Sequence, residues 1–211
     1  HCPGHSGGVA FLKSPVGQMF HQFFGENMLR ADVCNAVDEI GQLLDHTGPV
    51  AQSELNAARI FNADHSYFVT NGTSTSNKII WHASVTPGDI VLVDRNCHKS
   101  VIHAITMTGA IPVFLMPTRN HLGIIGPIPL EEFDPENIRK KIAQNPIAQK
   151  RKMEIGGDDR LIPKILTITQ STYDGILYNV EMIKDHLTGH IDTLHFDEAW
   201  LPHAAFHDFY K

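Results

Sequence analysis

A hydroxyl-rich turn at residues 70–78 is the part of the sequence best suited to bind an anion. It reads TNGTSTSNK and lies between a short apolar run and a helix-like run. Gly72 lets the backbone turn sharply, and the Ser and Thr side chains that follow place hydroxyl donors beside the unpaired N–H groups of a helix start. The turn therefore predicts a phosphate site, although Ser and Thr also cap helices that bind no ligand.

Asp197 is a second candidate, because it ends an apolar, strand-like run. A carboxylate so placed needs a cationic or hydrogen-donating partner to offset its lost hydration. A protonated pyridine nitrogen would be such a partner, and an internal ion pair with Arg95 is the alternative.

His98 is a third candidate, at the point where a helix-like run begins. Its flat imidazole suits either covering an aromatic ligand ring or capping the helix. A phosphate site, a carboxylate for a ring nitrogen and an aromatic plane between them together match the outline of pyridoxal phosphate.

The elements that must position these residues follow an α/β pattern, in which short apolar runs alternate with helix-like segments. Such alternation predicts a mainly parallel sheet with helices on both faces, whose ligands bind at the carboxyl ends of the strands. The clusters TNGTSTS, DRNCHKS, QSTYDG and FDEAW all fall at those ends, which predicts a single site. The polar stretch 145–164 has no apolar period and is predicted to be an exposed excursion. Strands are predicted at 66–70, 90–94, 111–116, 165–170 and 193–197, and helices at 50–62, 74–85, 98–108, 135–144 and 180–187.

Composition and charge narrow the class of partner. The 211 residues are 42% hydrophobic and 19% charged, as expected of a globular domain, and the net charge is −6 with dispersed Lys and Arg. Nucleic acids and anionic membranes require clustered positive charge, so a small-molecule ligand is predicted instead. Cys2, Cys34 and Cys97 form neither a disulfide framework nor a zinc motif, and with no signal-peptide pattern they predict a cytoplasmic location.

Motifs along the whole chain resemble those of the bacterial fold-type I, pyridoxal-phosphate-dependent ornithine/lysine/arginine decarboxylases. The resemblance rests on PGHSGG, FFGEN, LLDHTGP, TNGTSTSNK, DRNCHKS, PTRN, GIIGPI, STYDG and HFDEAW. It implies an aspartate aminotransferase-like large domain that binds pyridoxal 5'-phosphate and decarboxylates a basic L-amino acid.

The resemblance also assigns roles by position. It implies that the phosphate is bound by three hydroxyl residues of the turn, that His98 stacks on the pyridine ring, and that Asp197 binds the ring nitrogen. Trp200 would line the same pocket, and three further residues would lie near it. The three phosphate residues are Thr73, Ser74 and Thr75, and the three near-site residues are His5, Thr172 and Asp174.

One departure concerns the Schiff-base lysine, which in this family follows the Asp strand in a Ser-x-His-Lys motif that these 211 residues lack. No catalytic role is assigned to Lys78 or Lys99, which belong to the motifs TNGTSTSNK and DRNCHKS, or to Lys211, which follows FY. Because the sequence also begins without Met, residues 1–211 are interpreted as part of a large cofactor-binding domain whose flanking N-terminal and C-terminal domains lie elsewhere. This segment alone is expected to be inactive.

Several alternatives stay open at the level of sequence. His203 and His207 are four residues apart, but no third metal ligand is implied, so metal binding ranks below pyridoxal phosphate. Another fold-type I enzyme, such as an aminotransferase or lyase, shares the phosphate turn and the aspartate. A non-catalytic assembly role would suit a chain without the lysine.

Substrate and partners follow only from the resemblance. HFDEAW and GENMLRAD favour arginine or lysine over ornithine as the substrate. Active sites in this family lie at a homodimer interface, and dimers often join into larger rings, so a homo-oligomer is implied.

Overall fold

The structure is a computed structural model that describes residues 6–31, 37–155 and 162–210. The chain divides between Phe68 and Val69 into two compact units. The first unit contains three helices, α1 (Pro15–Phe24), α2 (Glu26–Arg30) and α3 (Gly48–Phe61), with short 3-10 turns at Val9–Lys13 and Asp38–Ile40.

The second unit is built on a four-stranded parallel sheet. Its strands are β1 (Ile90–Asp94), β2 (Ile111–Leu115), β3 (Ile165–Thr169) and β4 (Thr193–Asp197), in the order β2-β1-β3-β4. Helices α4 (Thr73–Ser84), α5 (Lys99–Thr108), α6 (Pro135–Gln144), α7 (Pro146–Glu154) and α8 (Val180–Leu187) surround it, with 3-10 turns at Leu130–Phe133, Pro202–Phe206 and Asp208–Tyr210.

Apolar side chains cover both faces of this sheet. On one face, Trp81 of α4 and Val101 of α5 pack with Val91 and Val93 of β1. On the other face, Ile138 of α6 and Ile183 of α8 pack in one cluster with Leu92 of β1 and with Leu166 and Ile168 of β3. Because successive side chains of a strand point to opposite faces, these continuous apolar strands form two cores. The predicted fold class, a parallel sheet with helices on both faces, is confirmed.

The strand predicted at residues 66–70 is wrong. No ladder pairs this segment with another strand in the part of the chain that the structure describes. The backbone N–H of Phe68 donates instead to Glu54 Oε1 of α3 at 2.9 Å, and the Tyr67 side chain is exposed. Aromatic and β-branched residues favour a strand, but a strand forms only where a neighbouring strand can pair with it.

The exposed excursion predicted at residues 145–164 is also wrong over its first half, because Pro146–Glu154 forms α7. Asn145 Oδ1 accepts from the N–H groups of Ile147 and Ala148, and Pro146 occupies the first turn, where its missing N–H costs nothing. Ala148 is fully buried in the core that α6 and α8 form with the sheet. Residues 156–161 lie outside the described part of the chain.

The other predicted strands and helices agree with the structure to within two residues at each end, whereas α1 and α2 were not predicted. No helix among the described residues has the length and the hydrophobicity that crossing a bilayer requires.

Candidate active site

A cavity of about 450 Å³ opens at the carboxyl ends of the strands in the second unit. Its lining residues come from the start of α4 and from the segments that follow β1, β3 and β4. These are the four polar clusters that the sequence analysis expected to share one edge of the sheet. The volume lies within the range typical of small-molecule sites, about 300–1,000 Å³.

The hydroxyl-rich turn forms one wall of this cavity at the start of α4. Gly72 adopts φ 76°, and no side chain caps the helix that follows it. An added Cβ at Gly72 would meet nothing within 4 Å, so the space beside the helix start is open. Thr73 and Ser74 line the cavity, so their hydroxyls and the first N–H groups of α4 are available to an anion.

Thr75 differs from its neighbours, since it is not among the described residues that line the cavity. Its Oγ1 lies 3.5 Å from the carbonyl oxygen of Asn71, one turn earlier. Of the three hydroxyl residues assigned to phosphate by resemblance, the structure brings two to the cavity.

Asp197 lies at the end of β4 and lines the same cavity, with only 5% of its surface exposed. Its Oδ2 accepts from Asn77 Nδ2 at 2.9 Å, and its Oδ1 accepts from the Ala199 N–H at 3.2 Å. The alternative pairing with Arg95 is not seen, because that guanidinium lies over the Phe114 ring at 5.7 Å from its centroid. The carboxylate is therefore supported by amide donors.

His98 both caps a helix and lines the cavity. It is the N-cap of α5, and its Nδ1 accepts from the Ser100 N–H at 3.2 Å. Its Nδ1 also lies 2.8 Å from Ser100 Oγ. Capping uses Nδ1, and the same residue lines the cavity, so the two roles that the sequence presented as alternatives are compatible.

Aromatic side chains form the outer wall. Trp200, which is 54% exposed, packs edge-on against Tyr173 with ring centroids 4.6 Å apart. Both line the cavity, as does Thr172. Asp174 does not line it and instead accepts from Asn96 Nδ2 at 3.3 Å. His5 lies outside the described residues.

Two cavity residues were missed by sequence reasoning. Ser171 Oγ is buried and has no hydrogen-bond partner among the described residues, whereas Thr169 lies beside the buried Asp94 carboxylate; both residues line the cavity. Buried hydroxyls normally find a partner, so Ser171 Oγ is a candidate for contact with a ligand. Only Ser171 had a signal in the sequence, as part of the cluster QSTYDG, because the pairing of Thr169 with Asp197 is a property of the folded sheet.

Cys97 lines the cavity as a protonated thiol. Burial, with the nearby Asp94 carboxylate as the next cause, raises the pKa of Cys97 to about 12. The thiolate is the reactive form, so the raised pKa makes the partly buried Cys97 thiol poorly reactive.

We expect Cys97 in the folded protein to react with iodoacetamide at pH 8 at least about a hundredfold more slowly than an unperturbed thiol. Since the pKa is raised, the rate should keep rising with pH above 9, where an ordinary cysteine levels off. Peptide mass spectrometry of the labelled protein measures this, with the urea-unfolded protein as the control. Equal labelling of Cys97 in the folded and unfolded protein would contradict the prediction.

The residues present fit pyridoxal phosphate. The uncapped start of α4 suits a phosphate, the Asp197 carboxylate suits a protonated ring nitrogen, and the unpartnered hydroxyl of Ser171 suits a ligand acceptor. Among the described residues, no group of three or more His, Cys, Asp or Glu is arranged to bind a metal ion.

Comparison with known proteins identifies the family of this chain. Residues 1–211 match the family described as "Orn/Lys/Arg decarboxylase, major domain". Lysine decarboxylase LdcA of Pseudomonas aeruginosa is 59% identical over 210 residues, which cover 100% of this chain and 27% of that protein. The biodegradative arginine decarboxylase of Escherichia coli is 45% identical over 208 residues, covering 99% of this chain and 27% of that protein. The chain thus spans about a quarter of the length of these relatives.

Solved structures give the same result. Lysine decarboxylase A from Pseudomonas aeruginosa superimposes with a TM-score of 0.87 at 58% identity, over 100% of this chain and 27% of that one. The constitutive lysine decarboxylase of Escherichia coli gives 0.85 at 48% identity, over 100% and 28%. The resemblance seen in the motifs is confirmed, and the chain belongs to the Orn/Lys/Arg decarboxylase family, whose major domain it matches.

Proposed function

We propose that this chain is the cofactor-binding part of a pyridoxal-phosphate-dependent decarboxylase that converts a basic L-amino acid into the corresponding amine and carbon dioxide. The observation that carries the proposal is the convergence of Thr73, Ser74, His98 and Asp197 on one cavity. The cavity offers donors for the phosphate of the cofactor, the flat His98 ring for the face of its pyridine ring, and the Asp197 carboxylate for its ring nitrogen.

In this proposal the start of α4 binds the phosphate. The helix N-terminus and the hydroxyls of Thr73 and Ser74 supply neutral donors, so the phosphate needs no lysine or arginine. Thr75 stabilises the first turn of α4 from outside the cavity. The open space beside Gly72 leaves room for the phosphate oxygens.

Asp197 holds a proton on the pyridine nitrogen. An ionised carboxylate that is already fixed by Asn77 and Ala199 accepts this N–H as a charge-assisted hydrogen bond. When bound, pyridoxal phosphate supplies an electron sink for the bond that breaks as carbon dioxide leaves. Asp197 would keep the ring nitrogen of the cofactor protonated and His98 would cover its ring, while Tyr173 and Trp200 line the outer side of the cavity.

The proposal concerns a longer protein, because residues 1–211 correspond to about a quarter of the length of the relatives. The lysine that binds the cofactor covalently would lie in that remainder, since the family motif for it is absent from residues 1–211. A homo-oligomer in the cytoplasm is proposed on the same resemblance.

Lysine is the substrate that we propose first. Relatives named lysine decarboxylases are 46–59% identical to this chain, whereas the arginine enzyme is 45% and the ornithine enzymes are 40–44% identical. The sequence motifs favour arginine or lysine as the substrate, and the identities to named relatives favour lysine of these two.

We expect the full-length protein, loaded with pyridoxal phosphate, to release carbon dioxide from L-lysine with a kcat/KM at least about tenfold above that for L-arginine or L-ornithine, a difference of about 1.4 kcal/mol in transition-state binding. A panel assay with the three amino acids measures this. Preference for arginine or ornithine would overturn the lysine assignment alone. Release from none of the three would overturn the decarboxylase proposal.

A further inference from the structure

Asn77 belongs to the phosphate-turn motif, yet its side chain points away from the solvent and is only 1% exposed. It lies on α4 and contacts two other elements. Its Nδ2 donates to Asp197 Oδ2 of β4 at 2.9 Å and to Ser100 Oγ of α5 at 2.9 Å. Both amide protons are therefore used, one on each partner.

The direction of these bonds is fixed by chemistry. An ionised carboxylate only accepts, so the Asn77 amide must present its NH₂ group, and Ser100 Oγ must then accept the second amide proton. The single hydroxyl proton of Ser100 is left to point at His98 Nδ1, which lies 2.8 Å away. Ser100 is itself 2% exposed, so water does not compete for this proton.

The backbone enforces the same direction at His98. The Ser100 N–H, whose proton position is fixed, also donates to His98 Nδ1 at 3.2 Å. A nitrogen that accepts from two donors cannot carry a proton, so the proton of the neutral ring lies on Nε2. The Nε2 edge is the one that capping leaves to the cavity.

We propose that Asn77 and Ser100 are positioning residues that couple Asp197 to His98 and hold His98 as the Nε2–H tautomer. His98 then presents an N–H donor to the bound molecule and does not act as a base toward it. The inference rests on the proposed function for the identity of the site, but the hydrogen-bond chain itself is a property of the protein without ligand.

The test uses a readout that is independent of activity. Exchange of the His98 Cε1 hydrogen for deuterium proceeds through the doubly protonated ring, so it speeds up when Nδ1 becomes more basic. Mass spectrometry of the full-length protein, measured at neutral pH without cofactor, follows this exchange. Cleavage after Lys and Arg separates His98 in Asn96–Lys99 from His103, the exposed histidine of α5 that serves as internal reference.

Ser100→Ala keeps the backbone N–H cap but removes the hydroxyl donor. We expect exchange at His98 to be about threefold to tenfold faster than in the parent, the change that loss of one hydrogen bond produces. Asn77→Leu, which removes the amide but keeps most of the volume, should accelerate it about twofold, because the Ser100 proton loses its fixed direction. Thr106→Ala removes an exposed hydroxyl of the same helix, bonded only to the Ile102 carbonyl, and should change nothing.

Cofactor titration of the same variants tests the Asp197 end of the chain. We expect Asn77→Leu to weaken pyridoxal phosphate binding about tenfold, since Asp197 loses a donor, and Ser100→Ala to leave it within about threefold. Unchanged exchange at His98 in Ser100→Ala, or in Asn77→Leu, would overturn the coupling. Accelerated exchange in a protein that decarboxylates no basic amino acid would support the coupling while refuting the proposed function.

Discussion

Asp197→Ala is expected to reduce turnover by about a thousandfold, the scale seen when a charge-stabilising group is removed from an active site. The carboxylate is buried at the end of β4 and is fixed by Asn77 and by the Ala199 N–H. Without it, the ring nitrogen loses the acceptor that keeps it protonated. Some cofactor should remain bound, because Thr73, Ser74 and His98 are unchanged.

A second variant separates charge from shape. Asp197→Asn retains an oxygen for the Ala199 N–H but has no ionised carboxylate, so it should lose nearly as much turnover as Asp197→Ala. Asp185→Ala removes an exposed carboxylate from α8 and should leave turnover unchanged. Steady-state carbon dioxide release and the absorbance of the bound cofactor measure these effects in the full-length enzyme. Turnover within a few-fold of the parent in Asp197→Asn would show that the carboxylate does not have this role.

The second large effect concerns Trp81, which anchors the site-bearing helix to the sheet. Its indole is fully buried between α4, α5 and β1, and its Nε1 donates to Thr167 Oγ1 of β3 at 3.1 Å. Trp81 lies four residues after Asn77, so the two side chains share the buried face of α4. We expect Trp81→Ala to lower the free energy of unfolding by about 3–5 kcal/mol, the usual cost of truncating a buried aromatic residue.

The indole N–H has a further consequence at His195. Thr167 Oγ1 accepts from Trp81 Nε1 and also lies within hydrogen-bond distance of His195 Nδ1, at 3.1 Å. Burial lowers the pKa of His195, so this histidine is neutral where an exposed one would begin to titrate. Trp81→Phe, which removes the N–H but keeps most of the volume, should cost about 1 kcal/mol.

Urea unfolding followed by circular dichroism compares these variants with Ile79→Ala. Ile79 lies on the same helix but is 53% exposed, so its truncation should cost well under half as much as that of Trp81. Equal losses in Ile79→Ala and Trp81→Ala would contradict the anchoring role. The anchoring role would also be contradicted if the Trp81→Ala protein were as stable as the parent and yet bound no cofactor.

Local sequence determined most of the secondary structure. Helices α4, α5, α6 and α8 follow from helix-like apolar runs, helped by the Asp134 cap of α6 and by Gly109 at the end of α5, and these signals act within a few residues. The parallel sheet followed from strand and helix alternation, and the shared edge of the polar clusters followed from the parallel sheet. For this reason the sequence alone predicted one site for Thr73, Ser74, His98 and Asp197.

Only the tertiary structure decided which side chains meet. The bond between Asn77 and Asp197 joins residues 120 positions apart, and no local pattern encodes its distance or direction. Likewise, residues 66–70 have strand propensity but no pairing strand among the described residues, and Thr75 faces away from the cavity that Thr73 and Ser74 line. Sequence patterns reflect local conformational preferences and hydrophobic periodicity. Side-chain contacts depend instead on how the helices and strands pack, and the whole core sets that packing.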